Sequence, residues 1–95
     1  MAIDIQTELQ LLNQPDAVVV EARVTAATPH PLEWRLTVET AGKGGTSRIA
    51  QSGRTDGGSK GPVATVRVNN PGAAVLQIYE AGELVGEARR EIPAP

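Results

Sequence analysis

The chain has 95 residues, no cysteine and a net charge of −2, from nine basic and eleven acidic side chains. That length suits one domain, residues 1–95, with a core that buries about 65% of the surface exposed by the unfolded chain. The absence of cysteine excludes disulfides, thiolate metal sites and cysteine catalysis together.

The first residues, MAIDIQTEL, lack the basic and apolar regions of a signal peptide, so a secretion signal is not expected within this chain. No apolar run reaches the roughly 18 residues of a membrane-spanning helix, and membrane insertion is not expected. In IDIQTELQLL, Ile3, Ile5, Leu9 and Leu11 alternate in part, and Thr7 and Gln10 break the competing helical stripe, which predicts a strand over 3–12. Asn13 to Asp16 reads as a turn. In AVVVEARVTAAT, Val18, Val20, Ala22 and Val24 share one face and Glu21, Arg23 and Thr25 the other, giving a strand over 17–27 with Val19 partly covered on the polar side.

After the turn Pro29-His30-Pro31 comes the clearest alternation in the chain. Leu32, Trp34, Leu36 and Val38 oppose Glu33, Arg35, Thr37 and Glu39 in a strand over 32–40, with Trp34 as a central core residue. The next stretch, GGTSRIAQSGRTDGGSKG, holds little that a core could use, and three readings compete for it: a linker, a phosphate loop, or a polar strand and loop that meets a partner. A strand is expected over 46–53. PVATVRVNN predicts another over 62–69, with Ala64, Val66 and Val68 against Thr65 and Arg67. Two last strands, 73–80 and 83–92, flank Glu80-Ala81-Gly82-Glu83, a hairpin turn in which Gly82 supplies positive φ. Seven short strands without a cysteine pair predict an all-β, seven-stranded immunoglobulin-like β-sandwich without disulfide.

Charge is unevenly placed. Residues 1–42 carry a net −4, residues 43–67 a net +4 and residues 68–95 a net −2. Such a basic island can steer an acidic partner, and the plainer reading is a solvated sheet edge.

No catalytic or metal constellation stands out, so the chain is not expected to be an enzyme or to need a cofactor. In GKGGTS, Lys43 precedes the glycines and no helical pattern follows, whereas a phosphate loop needs its lysine after them at a helix start. His30 is the single histidine and Met1 the single methionine, too few for a closed zinc or a copper site. Ser47 and Ser52 have no His–Asp relay to activate them. Glu83, Glu87 and Glu91 read as a solvated strand face rather than an acid pair for hydrolysis. One Trp, one Tyr, no Phe and a pI near 5.3 argue against nucleic-acid binding.

Two neighbouring stretches, WRLTVETAGKGGTS and RIAQSGRTDGGSKG, resemble the curli assembly chaperones of the CsgC/CsgH type, in particular the cysteine-free CsgH branch. The shared pattern is a strand entering Gly44-Gly45-Thr46-Ser47, three residues, then Gln51-Ser52-Gly53, over about residues 34–54. The resemblance implies an immunoglobulin-like periplasmic domain, monomeric and without cofactor, that keeps curlin amyloid subunits from polymerising before export. CsgC members carry a Cys-x-Cys pair that this chain lacks, so a redox role is excluded here. On this reading Arg35, Lys43, Arg48, Arg54, Lys60 and Arg67 form the client-binding surface. Gln51 and Ser52 serve either in recognition or in setting the turn before Gly53. A structural or adhesive module of a surface assembly is the alternative.

Overall fold

A computed structural model describes residues 4–58 and 60–94. Its strands are β1 (Ile5–Gln14), β2 (Ala17–Ala26), β3 (Leu32–Gly42), β4 (Gly45–Thr55), β5 (Ala64–Val68), β6 (Gly72–Glu80) and β7 (Glu83–Ile92). They form two antiparallel sheets, β1-β2-β5 and β4-β3-β6-β7, with no helix among the described residues. This is the expected β-sandwich. The fourth strand lies beside the third, so the larger sheet has four strands and the smaller three. In the constant-type immunoglobulin arrangement the fourth strand joins the first sheet instead.

The alternation read from the sequence sets the core. β2 sends Val18, Val20, Ala22 and Val24 inward, and β5 adds Ala64, Val66 and Val68. Opposite them lie Leu32, Trp34, Leu36 and Val38 of β3 and Ala74, Leu76 and Ile78 of β6. Nearly every core side chain is aliphatic, so shape matching among branched chains replaces the disulfide of antibody domains. Ile3, expected to open the first strand, lies outside the described residues. Asn13 and Gln14, expected in a turn, continue β1 as far as the pair Gln14–Ala17, which leaves a two-residue turn at Pro15-Asp16. At the β6–β7 turn both central residues take positive φ, Ala81 at 49° and Gly82 at 83°. The sequence pointed to Gly82 alone; the two turns of this length that match strand twist both need positive φ at the first central residue, here Ala81, and the type I′ form found here has it at both.

The connection from β4 to β5 crosses between the sheets and is pinned at both ends. His30 N–H donates to Asp56 O at 3.0 Å, Ala26 N–H to Gly57 O at 3.0 Å, and Val63 N–H to Ala22 O at 2.8 Å. Asp56 Oδ1 accepts the Gly58 N–H at 2.8 Å. Where the sequence offers a linker as one reading, backbone bonds at Asp56, Gly57 and Val63 tie the crossover to β2 and to the segment after it.

Candidate functional site: the β4 edge

Sheet edges are where a sandwich can accept another strand, and three of the four are blunted here. β1 and β7 lie against each other, and Arg90 Nη1 donates to Leu9 O at 3.1 Å across that seam. β5 is only five residues long. The remaining edge is β4, eleven residues, or about 35 Å of strand. None of its residues is buried. The three-stranded sheet covers β3 and β6 but leaves β4 largely uncovered, so this strand is open on its outer face and along its free side, and its inner face is covered only in part, at Ile49, Gly53 and Thr55.

Direct cross-strand pairs share a face, so the register assigns every side chain on the outer face of the larger sheet. Four rows run from β4 to β7: Arg48–Glu39–Ala73–Glu91, Ala50–Thr37–Val75–Arg89, Ser52–Arg35–Gln77–Glu87 and Arg54–Glu33–Tyr79–Leu84. Four arginines balance four glutamates over the whole face. The basic character therefore belongs to the β4 edge, where Arg48 and Arg54 occur without an acid and Lys43 sits in the adjoining hairpin.

The eight residues named from the sequence divide accordingly. Arg35, Arg48, Ser52 and Arg54 share the outer face. Arg48 Nε lies 3.8 Å from Glu39 Oε1 in an exposed pair, worth little in water. Arg35 is held back from the edge by its guanidinium carbon, 4.8 Å above the Tyr79 ring. Arg54 and Lys43 have no ion pair or side-chain hydrogen bond among the described residues. Lys43 occupies the two-residue hairpin between the paired Gly42 and Gly45, and no helix follows, so GKGGTS is a strand turn and not a phosphate loop. Gln51 pairs with Leu36 and faces inward, yet stays exposed because no second sheet lies beneath it.

Lys60 and Arg67 lie elsewhere. Lys60 is in the crossover, where its carbonyl accepts from Arg23 Nη1 at 3.3 Å. Arg67 is on the outer face of the smaller sheet, bonded to Gln14 Oε1 and Asp16 Oδ1, each at 3.1 Å. The eight residues thus do not form one surface. Replacing Arg67 with alanine is expected to cost less than about 1 kcal/mol in urea denaturation, because the pair is solvated.

Sequence reading did not find the function of Gly53. A Cβ built there would lie 2.8 Å from Trp34 Cζ2 and 2.9 Å from both Cε2 and Nε1. The indole occupies the space a side chain would fill and is only 8% exposed. The interior glycine of a polar strand was the available signal, because such a glycine marks close approach by something else. Here it seats the tryptophan and ties β4 to the core. Ile49, half-buried against the same core, is the second tie.

At its far end β4 meets an open groove of about 940 Å³ lined in part by Pro29, Pro31, Arg54 and Ala81. His30 Nε2 pairs with Glu80 Oε2 there, which joins the β2–β3 connection to the end of β6.

No protein-family model and no curated protein matches the sequence. The whole structure is similar to the solution structure of CsgH from R. palustris, with a TM-score of 0.69 over 93% of this chain and 92% of that one, at 22% identity. The chain has the CsgH fold. The resemblance carried by residues 34–54 and the likeness to the CsgH structure over 93% of the chain point the same way. The first is a local pattern of glycine and polar residues; the second is a likeness of overall fold.

Proposed function

We propose that this protein is a periplasmic, monomeric inhibitor of curlin polymerisation that acts by binding and not by catalysis. Its working surface is β4 with the Lys43 hairpin. The observation that carries this reading is a long strand with no buried residue, free along one side and open on its outer face, on a CsgH fold.

Amyloid grows by adding strands edge to edge, each backbone amide pairing with the next chain. A free edge can intercept such a strand by pairing with it first. It must not then extend the stack, which calls for charge and glycine in the blocking strand. β4 meets both demands: an eleven-residue edge strand whose alternate residues turn their N–H and C=O groups to the free side, with Arg48 and Arg54 and a glycine at 53. Arg35 stands behind them, and Lys43 extends the positive field along the hairpin toward acidic segments of the client.

An adhesive or structural module would need a contiguous apolar patch to assemble through. The exposed large hydrophobics among the described residues are Leu12, Leu84 and Val85, on opposite sheets. Three such side chains are too few for a patch of that size, which favours a free binding protein.

Curlin polymerisation followed by thioflavin fluorescence tests the proposal. With this protein well below equimolar ratio, the lag is expected to lengthen severalfold. An unchanged time course with folded protein would move the assignment to the structural module.

A further inference from the structure

β4 carries a pattern that its alternation and its interior glycine, Gly53, make directional in space but not along the chain. Arg48 and Arg54 are six residues apart on the outer face, about 20 Å along the strand, with only Ala50 and Ser52 between them on that side. On the inner face, Ile49 and Gly53 lie next to these arginines, with Gln51 midway. Ile49 is half-buried against the core, and the Trp34 indole fills the place above Gly53. The sequence Arg-Ile-Ala-Gln-Ser-Gly-Arg is therefore mirror-placed about Gln51: charge, apolar contact, three small or polar residues, apolar contact, charge.

We infer that the partner of β4 is an extended strand with carboxylates at positions i and i+6 and apolar side chains at i+1 and i+5. This rests on the reading of β4 as the binding edge and adds the register. A strand laid along β4 puts side chains at alternate positions on the same face as their neighbours. Carboxylates at i and i+6 then meet Arg48 and Arg54 on the outer side. The residues at i+1 and i+5 fall on the inner side, beside Ile49 and beside the indole edge at Gly53. Because the pattern reads the same from either end, it serves parallel and antiparallel partners alike. Three other spacings fail for stated reasons. With five, one carboxylate turns to the apolar side. With four or eight, both stay on the correct face, but only one meets an arginine.

Tryptophan-free synthetic peptides decide this. One carries Glu at i and i+6 with Val at i+1 and i+5. A second keeps the composition with the Glu residues five apart, a third has them four apart, and a fourth has Lys in place of Glu. Trp34, the single tryptophan, reports binding by fluorescence, and amide hydrogen exchange shows which strand is covered. At low salt the six-spaced peptide is expected to bind about threefold more tightly than the five- and four-spaced peptides, the worth of one solvated cross-strand pair, and about tenfold more tightly than the Lys peptide, which loses both. Protection should appear in β4, and the Arg48→Glu/Arg54→Glu variant should prefer the Lys peptide. Equal binding of all spacings, no binding of any peptide, protection on another strand, or an unreversed preference in the variant would each overturn the register. A protein that delays curlin assembly yet fails this test loses the register only. One that passes it but leaves curlin assembly unchanged loses the curlin client only.

Discussion

Replacing Trp34 with alanine is expected to remove about 3–5 kcal/mol of stability. A domain of this size has roughly 5–15 kcal/mol in total, so the variant should lose a large share of its stability and unfold at a much lower urea concentration. The cost has two sources. One is the transfer and cavity penalty of a large buried side chain. The other is particular to this fold: the indole spans from β3 to the bare backbone at Gly53, and without it β4 keeps only its hydrogen bonds to β3 and the contact of Ile49. Urea denaturation followed by far-ultraviolet circular dichroism measures the first effect. Amide exchange measures the second, since β4 should lose protection before β2 and β6 do. A loss under about 1 kcal/mol would mean that the indole is not holding the strand.

The Gly53→Val variant attacks the same contact from the other side. A valine needs the volume the indole occupies, so either the ring swings out or the strand bends away. Overpacking of this kind costs about 1–3 kcal/mol. Trp34 emission should shift to longer wavelength as the ring meets water, a change that a merely local loss of strand propensity would not cause. The two variants should also couple. Once the indole is gone there is room for the valine, so Trp34→Ala combined with Gly53→Val should cost less than the sum of the two single changes. Additive costs would mean that the residues do not share one space.

Strand existence and facing were legible in the sequence because they depend on a period of two, which neighbouring residues reveal. The buried faces of β2, β3 and β5 follow directly from it. What alternation cannot reveal is the sheet a strand joins. Arg67 and Arg35 both point outward from their strands, as read, yet from opposite sides of the sandwich. The position of β4 shows the same limit. Its composition marked it as polar and exposed, but its placement beyond the smaller sheet depends on pairing with β3 across the whole of its length. Gln51 is inward-facing and exposed for that reason, a combination no alternation rule contains. Positive φ at Ala81 follows from the geometry of a two-residue hairpin, and residue preference pointed to Gly82 alone.

Placement also separates the arginines by expected effect on a partner. Arg48 and Arg54 border the free edge, Arg35 is engaged by Tyr79, and Arg67 is tied to Gln14 and Asp16 on the far sheet. A basic surface defined by composition would give all four similar weight. One defined by the edge gives most of it to two.

The most direct measurement is the lag of curlin polymerisation with three forms of the protein at one concentration well below the curlin: unmodified, Arg48→Glu/Arg54→Glu, and Arg67→Glu. Denaturation midpoints should first establish that all three are folded. If β4 is the working edge, the double reversal abolishes most of the added lag, while Arg67→Glu retains it. Equal inhibition by the unmodified protein and the double reversal would contradict that claim. So would a loss confined to Arg67→Glu, which would place the working surface on the other sheet.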